Sequence, residues 1–335
     1  MDAPLWTDTH APSLGDLPQA SVRDRLQRAV DEPMNLVVQG PPGSGKTAAV
    51  RALAEAAHDD ENDLVELNVA DFFDRTKKEI REDPRFEQFL TGRSRMAKRD
   101  MINRVLKESA SYAPVSGDYK TIVLDNAEAI REDFQQALRR VMEQHHRTTQ
   151  FVLVTRQPST LIAPIRSRCF PVPVRAPTAD EIEDVLDGIL DAEGVDYDDD
   201  GLEFVAGYAD GDLRKAILGA QTTAMEAEEV TMTTVHETLK DVGHDDELAA
   251  VWEAAEAGEM TDARKTVGTL LDDEGYDGQS LLVDLLDAAH KRYDGETLAR
   301  LHHLAGDIDH DLVTGTDDRL HLTHLLTAWG QRVEA

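Results

Sequence analysis

The stretch NLVVQGPPGSGKT, residues 35–47, decides the fold of this chain. Its first residues form a short apolar run that predicts a strand, and the alanine-rich segment 48–58 after the glycine-rich turn predicts a helix. Small residues in the turn let backbone N–H groups wrap around phosphates, so the turn predicts a nucleotide-binding loop. The residues of this loop expected to bind the nucleotide are Gly40, Pro41, Pro42, Gly43, Ser44, Gly45, Lys46 and Thr47.

The polar chemistry of the loop depends on Lys46, Thr47 and a carboxylate further along the chain. The lysine is expected to reach the β- and γ-phosphate oxygens, and the threonine hydroxyl is expected to bind Mg²⁺. The apolar run Thr121–Asp125 ends in a carboxylate that is expected to hold the same Mg²⁺ and to take part in catalysis. A lone aspartate after a strand is usually a turn or cap residue, but the loop upstream favours the metal site.

The residue after Asp125 bears on whether the site hydrolyses its nucleotide. In ATPases of this pattern a glutamate at that position orients the attacking water, whereas this chain has Asn126, whose amide cannot accept a proton. Glu128 is the nearest other carboxylate, and we interpret it as an ordinary first-turn helix acid. The sequence therefore predicts a slow or inactive catalytic site.

Further apolar runs predict the rest of the sheet. Strands are expected at residues 64–68, 121–125, 151–155 and 170–174, with a helix over 128–146. Strands that alternate with helices predict an α/β fold with a parallel sheet. After Pro171, Pro173 and Pro177 the strand signals stop, and Thr178 is a predicted helix N-cap. The domains expected from this organisation are an α/β domain with the nucleotide loop over 1–176, a small helical lid over 177–240 and a second, all-α domain over 241–335.

The charge is strongly uneven along the chain. The 335 residues include 66 acidic and 35 basic ones, yet residues 1–176 hold 25 basic and 26 acidic residues and are nearly neutral. Only this first part is therefore suited to meet a polyanion such as nucleic acid. Aspartate outnumbers glutamate and arginine outnumbers lysine, which favours a halophilic source with a solvated acidic surface.

Cysteine content and hydropathy exclude two other classes of protein. One cysteine cannot form an internal disulfide framework or a cysteine-rich zinc site, which favours a reducing compartment. The longest apolar runs are only as long as strands, and the amino terminus is acidic where a signal peptide would be basic. We therefore expect a cytoplasmic protein that has no contact with a membrane.

Four further stretches carry a resemblance to a known family: Ser167-Arg168-Cys169, Gly211-Asp-Leu-Arg214, residues 134–140 and residues 306–328. Together with the loop and the Asp125 strand, they make the chain resemble the AAA+ clamp loaders, specifically the archaeal replication factor C small subunits. The resemblance covers nearly the whole chain, and the composition points to a haloarchaeal member.

The resemblance implies cofactors, partners and roles for single residues. It implies binding of ATP and Mg²⁺, and assembly with other replication factor C subunits through the C-terminal helices. Arg168 matches the arginine that acts as a finger toward the neighbouring subunit's nucleotide, and Arg214 matches a lid arginine that reaches the γ-phosphate. His10-Ala11-Pro12 stands where the family has Tyr-Arg-Pro against the adenine, which makes Pro12 a candidate nucleotide contact. Arg156 replaces an asparagine of the family's catalytic site, a second change that favours impaired hydrolysis.

Two segments are candidates for contacts with the other partners that the resemblance implies, namely primer-template DNA and a sliding clamp. An exposed aromatic anchor on the clamp is expected at Phe86, Phe89 and Leu90, although core packing is the alternative for such residues. A basic cluster is expected to contact DNA phosphates, with a solvated basic surface as the alternative. That cluster consists of Arg93, Arg95, Lys98, Arg99 and Arg104.

Two classes of function remain open at this point. In the first, the chain is an ATPase whose own site hydrolyses ATP while the clamp is loaded. In the second, it is a structural or regulatory subunit that contributes Arg168 to a neighbour and does not hydrolyse ATP itself, an alternative that Asn126 favours. An AAA+ DNA-repair or helicase-loading ATPase is a more distant alternative, which the 167–169 motif and the C-terminal resemblance disfavour.

Overall fold

The computed structural model describes residues 4–69, 76, 78–79, 98–272, 276–315 and 317–333. The chain divides into two compact units, Met1–Val235 and His236–Ala335. No helix in these described ranges is long and apolar enough to cross a membrane. The predicted three-way division at 176 and 240 stays a prediction.

A five-stranded parallel sheet forms the centre of the first unit and confirms the predicted fold class. Its strands lie in the order β2-β3-β4-β1-β5, so the loop strand β1 lies between β4 and β5. Because all strands run the same way, their carboxyl ends meet at one edge of the sheet, where ligands bind in folds of this kind. The strands are β1 (Leu36–Gln39), β2 (Leu64–Asn68), β3 (Lys120–Asp125), β4 (Thr149–Thr155) and β5 (Phe170–Pro173).

Alternating side chains of β1 enter two different apolar cores, one on each face of the sheet. Val37 packs with residues of α4 and α5, whereas Leu36 and Val38 pack with residues of α2 and α3. This burial on both faces explains why consecutive residues of β1, and not only alternate ones, are apolar. The helices of this part are α1 (Trp6–Thr9), α2 (Ala20–Asp31), α3 (Lys46–Ala57), α4 (Lys98–Ser111), α5 (Glu132–His145) and α6 (Ala163–Arg166).

The predicted helix over 128–146 is wrong at its amino-terminal end. A 3₁₀ turn covers Ala127–Ala129, and α5 starts only at Glu132. The chain is interrupted because Asn126 adopts a left-handed conformation with φ 54° and Ile130 is extended and buried. Glu128 therefore lies in a separate turn beside the strand ends.

The segment after β5 is helical, as expected, and Thr178 is confirmed as an N-cap. Its side chain accepts a hydrogen bond from the backbone N–H of Glu181, whose own carboxylate accepts one from the Thr178 N–H. Two short parallel strands in this segment, β6 (Asp196–Tyr197) and β7 (Glu229–Val230), were not predicted from the sequence. The helices here are α7 (Ala179–Glu193), α8 (Asp199–Ala209) and α9 (Leu213–Ala227).

The rest of the described chain is helical around a third apolar core. The fully buried Trp252 donates from its indole N–H to the carbonyl oxygen of Leu285 at 2.8 Å and lies edge-on to Tyr293 and Trp329. Helices from residue 232 onward are α10 (Met232–Gly243), α11 (Asp245–Glu256), α12 (Met260–Asp272), α13 (Gly278–His290), α14 (Gly295–Thr314) and α15 (Asp318–Val333).

Candidate nucleotide-binding site

The backbone of the loop between β1 and α3 requires glycine at Gly40 and at Gly43. A Cβ atom on Gly40 would lie 1.9 Å from the carbonyl oxygen of Val174. Gly43 has φ 65°, and a Cβ atom there would lie 2.0 Å from the carboxylate of Asp212. The loop therefore keeps the compact shape in which backbone N–H groups can surround a phosphate.

The side chains of the loop point to phosphate binding at the start of α3. This helix begins at Lys46, after the left-handed Gly45, so its positive end and free N–H groups face the loop. The Lys46 ammonium donates to the Pro41 carbonyl oxygen, and the Ser44 hydroxyl donates to the same oxygen at 2.9 Å. Burial lowers the pKa of Lys46, although the carboxylates of Asp125 and Glu128 act in the opposite direction.

Thr47 and Asp125 come together as the sequence analysis predicted. The Thr47 hydroxyl donates to a carboxylate oxygen of Asp125 at 3.1 Å, across the ends of α3 and β3. A hydroxyl and a carboxylate are oxygen ligands of the kind that Mg²⁺ prefers, and they lie beside the phosphate loop. The residues present therefore fit a nucleotide with its magnesium ion.

Asn126 is engaged by a residue that the sequence analysis missed. Its side-chain amide donates to the side-chain oxygen of Asn68 at 3.1 Å, and its backbone N–H donates to Asp125 at 2.8 Å. Asn68 ends β2 and is the register partner of Asp125 in β3. An asparagine at the carboxyl end of a predicted strand was the available signal, but its partner depends on which strands are neighbours.

Glu128 does not fit the interpretation as an ordinary first-turn helix acid. Its carboxylate accepts hydrogen bonds from the Thr155 hydroxyl at 2.8 Å and from the Arg156 guanidinium at 2.9 Å. Burial alone would raise the pKa of Glu128, but the hydrogen bonds from Arg156 and Thr155 outweigh it and hold the pKa below its usual value. The two residues singled out separately in the sequence, 128 and 156, form one ion pair.

The segment Gly211–Arg214 lies against the phosphate loop. The Leu213 backbone N–H donates to the Gly43 carbonyl oxygen at 3.0 Å. Asp212 caps α9 by accepting from the Lys215 N–H at 2.9 Å. Arg214 is exposed in the first turn of α9, close in sequence to this contact, and its interaction with a γ-phosphate stays a prediction.

The amino-terminal segment around Pro12 is attached to the helices that follow β5. The backbone N–H of Trp6 donates to the Gln221 side chain in α9 at 3.0 Å, and the His10 ring lies 2.5 Å from the Glu193 carboxylate in α7. Pro12 itself is half-buried, and its predicted contact with the adenine stays a prediction.

Gln19 is another residue that the sequence analysis missed. Its buried side-chain amide donates to the carbonyl oxygens of Ser44 at 3.2 Å and Arg175 at 3.1 Å. It therefore connects the phosphate loop to the segment that leads out of the sheet.

Arg168 lies in the exposed turn after α6, and in the sequence it is far from the phosphate loop of the same chain. Its guanidinium donates to the carbonyl oxygen of Pro164 at 2.7 Å and to the carboxylate of Glu143 at 2.6 Å. Burial raises the pKa of the neighbouring Cys169 thiol to about 12, despite the charge of Arg168. This thiol is consequently a packing residue and not a nucleophile.

Only some of the candidate DNA and clamp residues lie in the described part of the chain. Arg93, Arg95, Phe86, Phe89 and Leu90 lie outside the described residues. In the described part, Lys98 and Arg99 open helix α4, and Arg104 in the same helix forms an ion pair with Glu108 at 2.8 Å.

Two family models match separate parts of the chain. Residues 21–178 match the model described as "DNA polymerase III, delta subunit". Residues 243–328 match the model described as "Replication factor C C-terminal domain".

Full-length relatives and solved structures extend these matches. The chain is 31% identical to the replication factor C small subunit of Thermofilum pendens, over 98% of this chain and 96% of the relative. It is 30% identical to that of Natronomonas pharaonis, over 97% and 94%, and 29% identical to that of Halobacterium salinarum, over 97% and 95%. Among solved structures, the RuvB Holliday junction branch migration motor of Thermotoga maritima aligns with a TM-score of 0.51 at 15% identity, over 80% of this chain and 81% of that chain. This last likeness shows the fold alone.

Proposed function

The chain belongs to the family of replication factor C small subunits, and we propose that it is a clamp-loader subunit that binds ATP but hydrolyses it poorly at its own site. One contrast in the site carries this proposal. The phosphate loop and the Thr47–Asp125 pair are intact, whereas position 126 holds an amide that is hydrogen-bonded to Asn68. The distant alternative of a DNA-repair ATPase has only a similarity of fold in its favour.

The residues of the loop account for binding. Backbone N–H groups at the start of α3 and the ammonium of Lys46 bind the phosphates, for which the lysine exchanges its hydrogen bond to Pro41. Thr47 and Asp125 would hold the magnesium ion, which supplies charge neutralisation on the phosphate oxygens when it is bound. Arg214 and Pro12 are the further nucleotide contacts in this proposal.

Hydrolysis needs a group that accepts a proton from the attacking water, and the side chains near Asp125 are poorly placed to supply one. The Asn126 amide has no basic atom, and Glu128 is committed to Arg156 and Thr155. Within an assembly, Arg168 would instead stabilise the charge that develops on the neighbouring subunit's nucleotide. This favours the structural and regulatory alternative for this subunit's own site.

The partners follow from the family and from the domain organisation. We propose an ATPase domain over 1–176, a lid over 177–240 and an assembly domain over 241–335 that joins other replication factor C subunits. The match of residues 243–328 to the family's C-terminal domain supports the last of these. The clamp contact would be Phe86, Phe89 and Leu90. The acidic composition supports a halophilic source, with the complex acting in the cytoplasm.

The proposed DNA contact rests on the nearly neutral charge of the ATPase part and can be tested separately. Replacing Arg95, Lys98 and Arg99 with alanine should weaken binding of primer-template DNA regardless of its sequence. It should also reduce the slope of log K against log salt by about one unit for each lost phosphate contact. An unchanged slope would show that these residues form only a solvated basic surface.

The experiment that tests the proposed function is purification of the tagged chain at high salt, followed by identification of its partners and by nucleotide binding. Recovery with related AAA+ subunits and a sliding clamp, together with ATP binding that needs Mg²⁺ and little turnover by the subunit alone, is the expected result. A homo-hexamer without a clamp would overturn the assignment.

A further inference from the structure

The side chain of Arg168 is held against its own subunit. One nitrogen of the guanidinium donates to the Pro164 carbonyl oxygen at 2.7 Å, and the other terminal nitrogen donates to Glu143 at 2.6 Å. The Arg168 and Glu143 side chains are 37% and 44% exposed, so solvent reaches the pair. In this arrangement each terminal nitrogen of the guanidinium donates one hydrogen bond within the chain.

Glu143 has a second arginine within reach. Arg139 lies one helical turn earlier in α5, and its Nε atom is 3.8 Å from the same carboxylate oxygen that accepts from Arg168. That Nε is buried and has no hydrogen-bond partner among the described residues. A buried donor without a partner is costly, so Arg139 gains when the carboxylate turns toward it.

We propose that Glu143 is the positioning residue of Arg168, holding it retracted and releasing it by turning toward Arg139 when a neighbouring subunit presents its nucleotide. This inference rests on the proposed role of Arg168 in trans. A change of the Glu143 side-chain rotamer is sufficient, since both arginines are already next to it. The hydrogen bond that Glu143 loses to Arg168 is replaced by the one that it gains from Arg139.

The release is easy because the contact is exposed. Solvent-exposed ion pairs of this kind shift an equilibrium by at most about fivefold. The pair therefore biases the position of Arg168 without locking it. The bound phosphate of a neighbour, which binds a guanidinium through charge-assisted hydrogen bonds, is a stronger partner than the exposed carboxylate.

The first test measures the contact in the full-length subunit without any partner. Phenylglyoxal modifies arginine side chains, and mass spectrometry of the peptides gives the rate at Arg168. Glu143→Gln should raise that rate about two- to fivefold. Glu132→Gln, which removes one exposed charge from the other end of α5, is the matched control and should leave it unchanged. Arg139→Met should lower the rate, because Glu143 then has only Arg168 to bind.

The second test measures ATP turnover by the assembled complex. Glu143→Gln should raise turnover about two- to fivefold in the wild-type background, and the double variant Glu143→Gln/Arg168→Ala should equal Arg168→Ala alone. A purely structural role for Glu143 would lower turnover in both backgrounds. If Arg168→Ala leaves turnover unchanged, the proposed function of Arg168 fails, whatever the modification rates are. If Arg168→Ala abolishes turnover while Glu143→Gln leaves it unchanged or lowers it, the positioning inference is wrong. The inference is also wrong if phenylglyoxal modifies Arg168 at the same rate in Glu143→Gln and in Glu132→Gln.

Discussion

The phosphate loop and the strand ends beside it face the same candidate nucleotide but differ in what their side chains are free to do. Around the loop, the Lys46 ammonium donates to the carbonyl oxygen of Pro41, and the Thr47 hydroxyl donates to the Asp125 carboxylate, which is expected to share its metal. At the ends of β3 and β4, Asn126 is bound to Asn68, and Glu128 is bound to Arg156. Polar groups in the first region are available to a ligand, whereas those in the second satisfy one another.

This difference indicates that nucleotide binding and hydrolysis depend on separate elements of the fold. Binding uses one continuous segment, the turn between β1 and α3, whose shape is set by local backbone geometry. Hydrolysis needs groups from several strand ends held at the correct distance from a water molecule. Changes at residues 126, 128 and 156 can therefore impair the second function while the first persists.

The largest expected effect concerns Arg168, which belongs neither to the phosphate loop nor to the strand ends beside it. Arg168→Ala should reduce ATP turnover by the assembled complex by about 10³-fold at the neighbouring site, the effect of an arginine finger in related nucleotide hydrolases. ATP binding by this subunit should not change. Steady-state kinetics of the complex measures the turnover, and equilibrium titration of the subunit measures the ATP affinity. Arg166→Ala, which removes an exposed arginine at the end of α6, is the control. Equal turnover by Arg168→Ala and Arg166→Ala would show that Arg168 has no catalytic role.

The next effect tests the binding region. Lys46→Ala should weaken ATP binding about 10- to 100-fold, because hydrogen bonds to charged groups contribute about 1.5–3 kcal/mol and each 1.4 kcal/mol is tenfold. Fluorescent-nucleotide titration of the isolated subunit measures the change, and Lys107→Ala in α4 is an exposed charge control. ATP affinity that is equal in the wild type and in Lys46→Ala would show that the loop is not the nucleotide site.

A smaller effect tests the ion pair at the strand ends. Glu128→Gln should lower the free energy of unfolding by about 1–2 kcal/mol near neutral pH, since it removes a charged acceptor from Arg156 and Thr155. The pKa of Glu128 in the folded protein lies below its ordinary value of 4.5. The carboxylate therefore contributes stability above about pH 4.5, and this contribution is lost as the pH falls through the folded-state pKa.

Denaturant unfolding of the wild type and of Glu128→Gln at several pH values measures this dependence. The difference in unfolding free energy should be full at pH 7 and shrink as the solution is acidified below pH 4.5. A difference that is independent of pH would mean that the hydrogen bonds, and not the charge, hold the pair.

The smallest expected effect concerns Asn126, the residue that follows Asp125 at the end of β3. Asn126→Ala should change turnover of the complex by less than about twofold, or about 0.4 kcal/mol in activation free energy, because the amide has no basic role to lose. Stability should fall by about 1 kcal/mol, because alanine tolerates the left-handed backbone less well and the bond to Asn68 is lost. If this substitution reduces hydrolysis as severely as Arg168→Ala, the site is catalytic through an arrangement not described above, and the contrast between the two regions does not hold.

Local patterns predicted the features that depend on neighbouring residues in the chain. The glycine-rich turn, the helix after it, the five strands of the sheet and the Thr178 cap each follow from residues within a short window. The pairing of Thr47 with Asp125 was also predictable, because carboxyl ends of parallel strands meet at one edge. The helix over 128–146 was predicted too long, because the left-handed Asn126 and the extended Ile130 interrupt an otherwise helical pattern of apolar residues.

Contacts between distant segments were beyond the reach of such patterns. Asn68 meets Asn126 only because β2 is the neighbour of β3, and Glu143 meets Arg168 only because α5 passes the turn after α6. Gln19 joins the phosphate loop to the chain beyond β5 through a single buried amide. Hydrogen bonds of this kind depend on strand order and helix packing. The same local sequence pattern is compatible with several strand orders and packings, so it does not predict these partners.

By itself, the amino-acid sequence determined the glycine-rich loop, the parallel α/β class and the amide at position 126, because each depends on residue identity or on short-range backbone chemistry. Only the tertiary structure decided which side chains are already engaged. Whether Glu128, Asn126 or Arg168 is free to meet a nucleotide depends on partners 25 to 58 residues away in the chain. Folding brings such partners within 3.1 Å of each other, a distance at which polar atoms bind one another directly.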